Sequence, residues 1–345
     1  MSLLRRTDRG LYCEAGDFHV DPWAAVDRAV VTHAHGDHVA WGCQAYLTAA
    51  PGAGVLRQRL EPGSRIRPLP YRDAIDVNGV RVSLHPAGHI LGSAQVRLEH
   101  RGEVWVVSGD YKTEPDPTCD PWEPVSCHTF VTECTFGLPV YRWPEPSAVF
   151  DEIHAWWRAN QEAGRASLLF GYALGKAQRL IAGLDPSVGP ILTHGAVERI
   201  NGLYRDAGVI LPPTTHAAVS DRGVWPRAIV IGPPMADGSP WALRFGTQST
   251  AFASGWMAIR GMRRRRAVDR GFTVSDHVDW PSLLAAIDAT GAERIWATHG
   301  YTGVLVRWLR EQGRNADAIE TRFEGERDDA DEPAGGAVEE SLPAR

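Results

Sequence analysis

The sequence predicts an α/β fold, and three features of the 345-residue chain carry that reading. Short apolar runs of strand length fill the first third, strands and helices alternate in the middle, and a strand–helix–strand–helix pattern follows after about Phe272. In order, Arg28–Thr32 is an apolar run that ends abruptly in His33-Ala34-His35-Gly36-Asp37-His38. Val80–Leu84 alternates, Val96–Leu98 and Val104–Val107 form a hairpin about Arg101-Gly102, and Phe130–Thr132 is a further brief strand. Ser147–Asn160 puts Val149, Phe150, Ile153, Trp156 and Trp157 on one helical face, with Ser147 as the expected N-cap. Ser167–Phe170, the Gly-bounded helix Lys176–Ile181 and the strands Pro190–Thr193 and Ala228–Ile231 suggest a βα unit, with Pro- and Gly-rich loops at Leu211–Thr215 and Gly232–Pro240. Pro281 stands in the first turn of a helix over Ser282–Thr290 that Gly291 closes, and a last helix runs to about Gln312, just before Gly313.

Composition narrows the class. At 43% hydrophobic and 23% charged the chain reads as soluble and globular. Its 5 cysteines, an odd number without a CxxC pair, give neither a disulfide framework nor a cysteine zinc site. Met1-Ser2-Leu3-Leu4-Arg5-Arg6 lacks the apolar stretch of a signal peptide, and no run approaches the ~18 apolar residues of a membrane span, so the cytoplasm is expected. The formal charge of −6 is that of residues 324–345, where eight acids face Arg327 and Arg345. That acidic tail is expected to be disordered, and residues 1–323 balance to zero.

The chemistry concentrates after the strands. In an extended segment residues two apart share a face, so His33 and His35 can hold one metal, while a turn at Gly36 lets Asp37 and His38 face a second. Imidazole with carboxylate is a ligand set for zinc, or for manganese where oxygen dominates. Three later positions repeat the pattern of a polar group after a strand: His89 in Pro86-Ala87-Gly88-His89, Asp110 in Ser108-Gly109-Asp110, and His299 in Thr298-His299-Gly300. His194 in Thr193-His194-Gly195 competes with His299, and spacing alone does not choose between them.

Thr32-His33-Ala34-His35-Gly36-Asp37-His38 resembles the signature of the metallo-β-lactamase fold. The resemblance implies a four-layer αβ/βα sandwich in which His33, His35 and His89 hold one metal, Asp37, His38 and His299 the other, and Asp110 bridges both. Thr132-Glu133 and Ser275-Asp276-His277 resemble the motifs that open and close the β-CASP insert of nucleic-acid-processing members, and Tyr172–Gln178 and Phe252–Met257 match landmarks within it. The implied organisation is a sandwich core over 1–137 and 273–323, an inserted α/β cap over 138–272, and the tail over 324–345. Chain order and the family pattern favour His299 over His194.

By this resemblance the protein is a metal-dependent nuclease. Two divalent ions, zinc or else manganese, about 3.5–4 Å apart generate a bridging hydroxide that attacks phosphorus. Asp37, His277 and Glu133 form the catalytic set, with His277 protonating the leaving oxygen and Glu133 orienting it. Lys112 is a phosphate clamp or a surface lysine. Ser254, Gly255 and Ser275 are candidates for a neighbouring phosphate, and Arg263, Arg264, Arg265 and Arg266 for the nucleic-acid backbone. Ser275–Leu284 and Phe252–Gly261 most resemble bacterial ligase-associated DNA exonucleases, a branch often labelled mRNA 3′-end processing factor. That implies DNA as substrate and a DNA ligase and helicase as functional partners, whereas a His at position 299 is typical of RNA-processing members. An RNA nuclease is therefore the alternative; a non-catalytic scaffold and a secreted β-lactamase are disfavoured.

Overall fold

A computed structural model describes residues 2–261 and 268–319. Arg263–Arg266 and the tail over 324–345 lie outside the described residues.

The chain begins with a six-stranded sheet in sequential order: β1 Arg5–Thr7, β2 Gly10–Cys13, β3 Phe18–Val20, β4 Arg28–Val30, β5 Ala45–Ala49 and β6 Ile66–Leu69, with helix α1 (Ala53–Arg59) between the last two. Then β7 Ala74–Val77, β8 Val80–Pro86, β9 Ala94–His100, β10 Glu103–Val107 and β11 Thr129–Cys134 build a second sheet. The β9–β10 hairpin turns at Arg101 and Gly102, both at positive φ, as the turn residues suggested.

After helix α2 (Pro146–Glu162) the chain leaves for a third, all-parallel sheet. Its strands are β12 Ala166–Phe170, β13 Ile191–Thr193, β14 Thr215–His216, β15 Ile229–Gly232, β16 Gln248–Ala253 and β17 Arg270–Phe272, in the order β14-β13-β15-β12-β16-β17. Helices α3 (Lys176–Ala182), α4 (Gly195–Asp206) and α5 (Pro240–Leu243) connect them. Helix α6 (Trp280–Thr290), β18 Arg294–Gly300, helix α7 (Thr302–Glu311) and β19 Asn315–Ala318 return the chain to the second sheet, beside β11. Ser147 is not the cap of α2: Glu145 precedes it and Pro146 opens the helix, its fixed φ suiting the first turn.

Burial explains the layering. Alternating residues of the first two sheets (Phe18, Val20 and Leu47 against Val82, Leu84, Val96, Leu98 and Trp105) form one core. The far face of the second sheet packs under Leu283, Ile287, Leu305 and Leu309 of α6 and α7. Val55 and Leu56 of α1 cover the first sheet and share a core with Ile153, Trp157, Leu180 and Tyr204 of the third-sheet helices. Each such side chain contributes about 1.5–3 kcal/mol on burial. The result is the αβ/βα sandwich with a second α/β unit seated on it. No helix among the described residues is long and apolar enough to cross a membrane.

Strands β8, β10, β11 and β18 run in one direction, since β9 is antiparallel to β8 and β10 while β11 and β18 pair in parallel. Their carboxyl ends therefore open on one side, and the chemistry-bearing residues gather there.

Candidate metal centre

Thr32, just past β4, starts the site. Its amide and hydroxyl donate to the two oxygens of Asp21 at 2.8 and 2.6 Å, and His38 Nδ1 donates to Asp21 Oδ2 at 2.8 Å. With its proton given to Asp21, Thr32 Oγ1 accepts from His33 Nδ1 at 3.1 Å. His35 Nε2 donates to the Leu174 carbonyl at 3.3 Å, and His89 Nδ1 to the Asp276 carbonyl at 2.9 Å. A carbonyl has no proton to give, so the other nitrogen of each ring holds a lone pair.

Those lone pairs converge. His35 Nδ1 lies 3.0 Å from His33 Nε2 and 3.1 Å from His89 Nε2, while Asp110 Oδ2 is 3.5 Å from His33 Nε2 and 3.8 Å from His89 Nε2. The four ligand atoms fall within 4.8 Å of one another. Three nitrogen lone pairs and an anionic oxygen with no proton between them repel unless a cation stands among them, and each ring is aimed from behind by an acceptor, as metal-binding histidines are. The donor set fits a divalent metal.

The electrostatics agree. Burial first, then the neighbouring imidazoles, push His35 and His89 down to about 4 and hold His33 well below its ordinary value. His38 is the exception: burial opposes its proton, but Asp110, Asp37 and Asp21 outweigh burial and raise it well above. Burial would likewise raise Asp110, yet His38 and His277 hold its carboxyl well below the usual range. His38 Nε2 lies 3.4 Å from Asp110 Oδ2 and 3.8 Å from Asp37 Oδ2, and its ring stacks on His299 at 5.3 Å. Asp110 thus stands between the tight group of His33, His35 and His89 and a looser one of Asp37, His38 and His299. His194 lies apart, capping α4 in the third sheet.

Asp110, Glu133 and His277 form a further tight cluster among the described residues. His277 Nδ1 donates to Glu133 Oε1 at 2.8 Å, and the amides of Tyr111 and Thr135 donate to the two Glu133 oxygens at 3.0 and 3.1 Å. Trp143 Nε1 donates to the His277 carbonyl at 2.8 Å. The His277 ring lies 4.7 Å from that of His89.

The phosphate-binding expectations fare differently. Lys112 is neither a clamp nor a surface lysine: it is 1% exposed and its ammonium pairs with Asp116 at 3.2 Å. Ser254 and Ser275 are buried, their hydroxyls accepting from the Trp256 and His277 amides, and Gly255 packs under Phe136. The two serines thus turn their hydroxyls to amides of their own loops beside the site. Sequence reasoning missed Asp21, the Leu174 carbonyl and the buried ion pairs about Asp276. Asp21 carries no local signature, and a carbonyl is common to every residue.

Comparison with known proteins adds three relatives. The chain is 32% identical to a probable DNA ligase of Opitutus terrae over 314 residues, 90% of this chain and 30% of that protein. It is 32% identical over 125 residues to the endoribonuclease YSH1 of Saccharomyces cerevisiae, 35% of this chain and 16% of that protein. Cleavage and polyadenylation specificity factor subunit 3 of Dictyostelium discoideum matches at 29% over 134 residues, 38% of this chain and 16% of that protein. The chain thus spans less than a third of each relative's length. No family model matches.

Proposed function

We propose that this chain, of the β-CASP metallo-β-lactamase family, is a metal-dependent phosphodiesterase acting as a DNA exonuclease on single strands or ends in DNA repair. The observation that carries this reading is the convergence of His33, His35, His89 and Asp110, with the His277–Glu133 pair directly against it. Divalent ions held by these residues, zinc by the nitrogen-rich donor set or else manganese, supply Lewis acidity toward a phosphate and acidify a water molecule.

The chain's own groups do the rest. Glu133 accepts from Nδ1–H of the His277 imidazolium, which passes its Nε2 proton to the leaving oxygen of a phosphodiester and ends as the neutral ring with Nδ1–H still held by Glu133. Two amides pin Glu133, so the imidazole keeps one orientation toward the cluster. Asp110 links the His277–Glu133 pair to His38, whose Nε2 lies 3.4 Å from Asp110 Oδ2 and 3.8 Å from Asp37 Oδ2. In this reading residues 138–272 form the cap, and Arg263–Arg266 contribute sequence-independent backbone contacts.

DNA is favoured because the relative named for DNA ligation aligns with 90% of the chain, whereas the endoribonuclease of Saccharomyces cerevisiae aligns with 35%. The same name favours a DNA ligase as a working partner, and a helicase partner and a cytoplasmic setting belong to the same proposal. The RNA reading rests on that endoribonuclease match and on His299.

The test offers matched single-stranded DNA and RNA, labelled at either end, to the protein with zinc or manganese. DNA shortened stepwise from one end is expected, slowed about 10²–10⁴-fold by His277→Ala with metal retained. Cleavage of RNA alone overturns the DNA assignment, and a metal-loaded protein that cuts neither overturns the nuclease.

A further inference from the structure

We infer that Lys176 and Arg179, on α3 of the third-sheet unit, are positioning residues for the metal centre: they fix Asp276 so that its carbonyl aims His89. The cluster is then assembled only when that unit is seated on the sandwich. The inference rests on the metal-centre reading above.

The start of α3 is built to press on the site. Gly175, at φ +86, lies where a Cβ would meet Ile90 Cγ2 at 2.2 Å, so the turn sits directly on the residue after His89. Gln178 Oε1 accepts from the Gly175 amide at 2.8 Å and holds that turn. One residue earlier, the Leu174 carbonyl accepts from His35 Nε2. One residue later, Lys176 Nζ reaches Asp276 Oδ2 at 2.9 Å, both side chains almost wholly buried.

Arg179 locks the same aspartate from its other side. Its Nη1 lies 3.4 Å from Asp276 Oδ1 and donates to the Ser275 carbonyl, Nε lies 3.3 Å from Asp116 Oδ2, and Nη2 lies 3.3 Å from Glu114 Oε2. With Lys112 on Asp116, three cations face three carboxylates: Lys176 and Arg179 come from α3, Lys112, Glu114 and Asp116 from the loop after Asp110, and Asp276 from the segment that carries His277. Buried charges are tolerated only while paired, so these segments hold one relative placement or lose the pairing together. Within it, Asp276 has two tasks: its carboxylate is gripped by Lys176 and Arg179, and its carbonyl receives His89 Nδ1. Two of the three imidazoles in the tight cluster therefore take their direction from carbonyls that the start of α3 supplies or holds. Coupling of this kind is reciprocal: metal binding must also favour the seated arrangement.

A purely structural network would cost stability and leave metal binding alone, and that separates the readings. The measurement is zinc stoichiometry and affinity of the full chain, by competition with a chromogenic chelator, alongside thermal melting. Lys176→Met is expected to weaken the tighter zinc about 10- to 100-fold, the range for groups that orient ligands, and Lys176→Arg to recover part of it. Asn160→Ala serves as control: it removes a buried hydrogen bond of the same unit, from Asn160 Nδ2 to Ser167 Oγ at 3.0 Å, and should lower the melting temperature with zinc affinity unchanged. Should Lys176→Met give no soluble protein, Lys176→Met with Asp276→Asn removes the charged pair and keeps the carbonyl, and the same weakening is expected. Wild-type zinc affinity in either variant overturns the inference. A wild-type protein that binds no zinc overturns the metal-centre reading instead.

Discussion

Thr193-His194-Gly195 and Thr298-His299-Gly300 are the same tripeptide at the end of a strand in a parallel stretch of sheet, and the two histidines have different work. His194 is extended, with φ −65° and ψ 150°; its Nδ1 accepts from the Ala196 amide at 3.1 Å and caps α4, with the ring edge-on to Trp241. His299 has φ 53°, a left-handed conformation that costs a non-glycine residue about 1–3 kcal/mol. The ladder with β11 passes from Glu133↔Thr298 to Cys134↔Gly300, so His299 is the extra residue of a bulge. Cys134 Sγ donates to its carbonyl at 2.7 Å, and its ring is turned onto His38. A bulge re-aims a side chain that a regular strand would leave on the sheet face. The neighbouring strand, not the tripeptide, makes one histidine a cap and the other a candidate ligand.

The widest separation should come from the histidines themselves. His299→Ala is expected to lose one zinc equivalent and slow phosphodiester cleavage by at least ~100-fold, beyond the usual effect of a group that merely orients a ligand. His194→Ala should leave both unchanged and cost about 1 kcal/mol of stability, as the loss of a helix cap does. Zinc loss in the second variant would reverse the assignment.

The glycines sharpen the point. Gly300, at φ +76, lies where a Cβ would meet the Cys134 carbonyl oxygen at 2.2 Å, whereas a Cβ at Gly195 meets its nearest atom, on the His216 ring, at 3.1 Å. Gly300→Ala should therefore displace His299, weaken zinc binding and destabilise by roughly 2 kcal/mol or more; Gly195→Ala should stay within about 1 kcal/mol in urea unfolding. Cys134→Ala removes the thiol donor on the Thr298 and His299 carbonyls, for about 1 kcal/mol and a small change in zinc affinity.

Protons compete with a cation for the same lone pairs, which divides the centre by pH. His35 and His89, at about 4, are neutral above roughly pH 5 with a lone pair on the nitrogen that faces the cluster, while the raised His38 must release a proton. Zinc affinity on the His38 side should climb up to tenfold per pH unit below the His38 pKa, and the other site should stay nearly flat. Chelator competition at about pH 6, 7 and 8 checks this, and equal slopes for both equivalents would contradict it.

Legibility followed the range of the interaction. The ends of β4, β8 and β10 were readable because His33, His89 and Asp110 each follow the end of an apolar strand by three residues. The helix over Pro146–Glu162 was readable from its apolar face, although its first turn is set by Pro146 and not by a Ser147 cap. Strands of three or four residues such as β1 and β3 have too short a pattern to stand out. Lys112 was misread because a lysine beside Asp110 invites a phosphate, while its true partner, Asp116, is visible only once the loop folds back.

The sequence by itself determined the donors, since ligand chemistry belongs to side chains and the His33–His38 cluster needs only local spacing. Where apolar strands stop and amphipathic helices begin also indicated an α/β chain, while the αβ/βα sandwich was implied by the resemblance that the His33–His38 motif carries. Tertiary structure decided which nitrogen of each ring faces the centre. That choice depends on what accepts from the other nitrogen, and for His35 and His89 the acceptor is a main-chain carbonyl 139 and 187 positions away. A main-chain oxygen has no residue identity, so only the packing of the third-sheet unit on the sandwich puts it there.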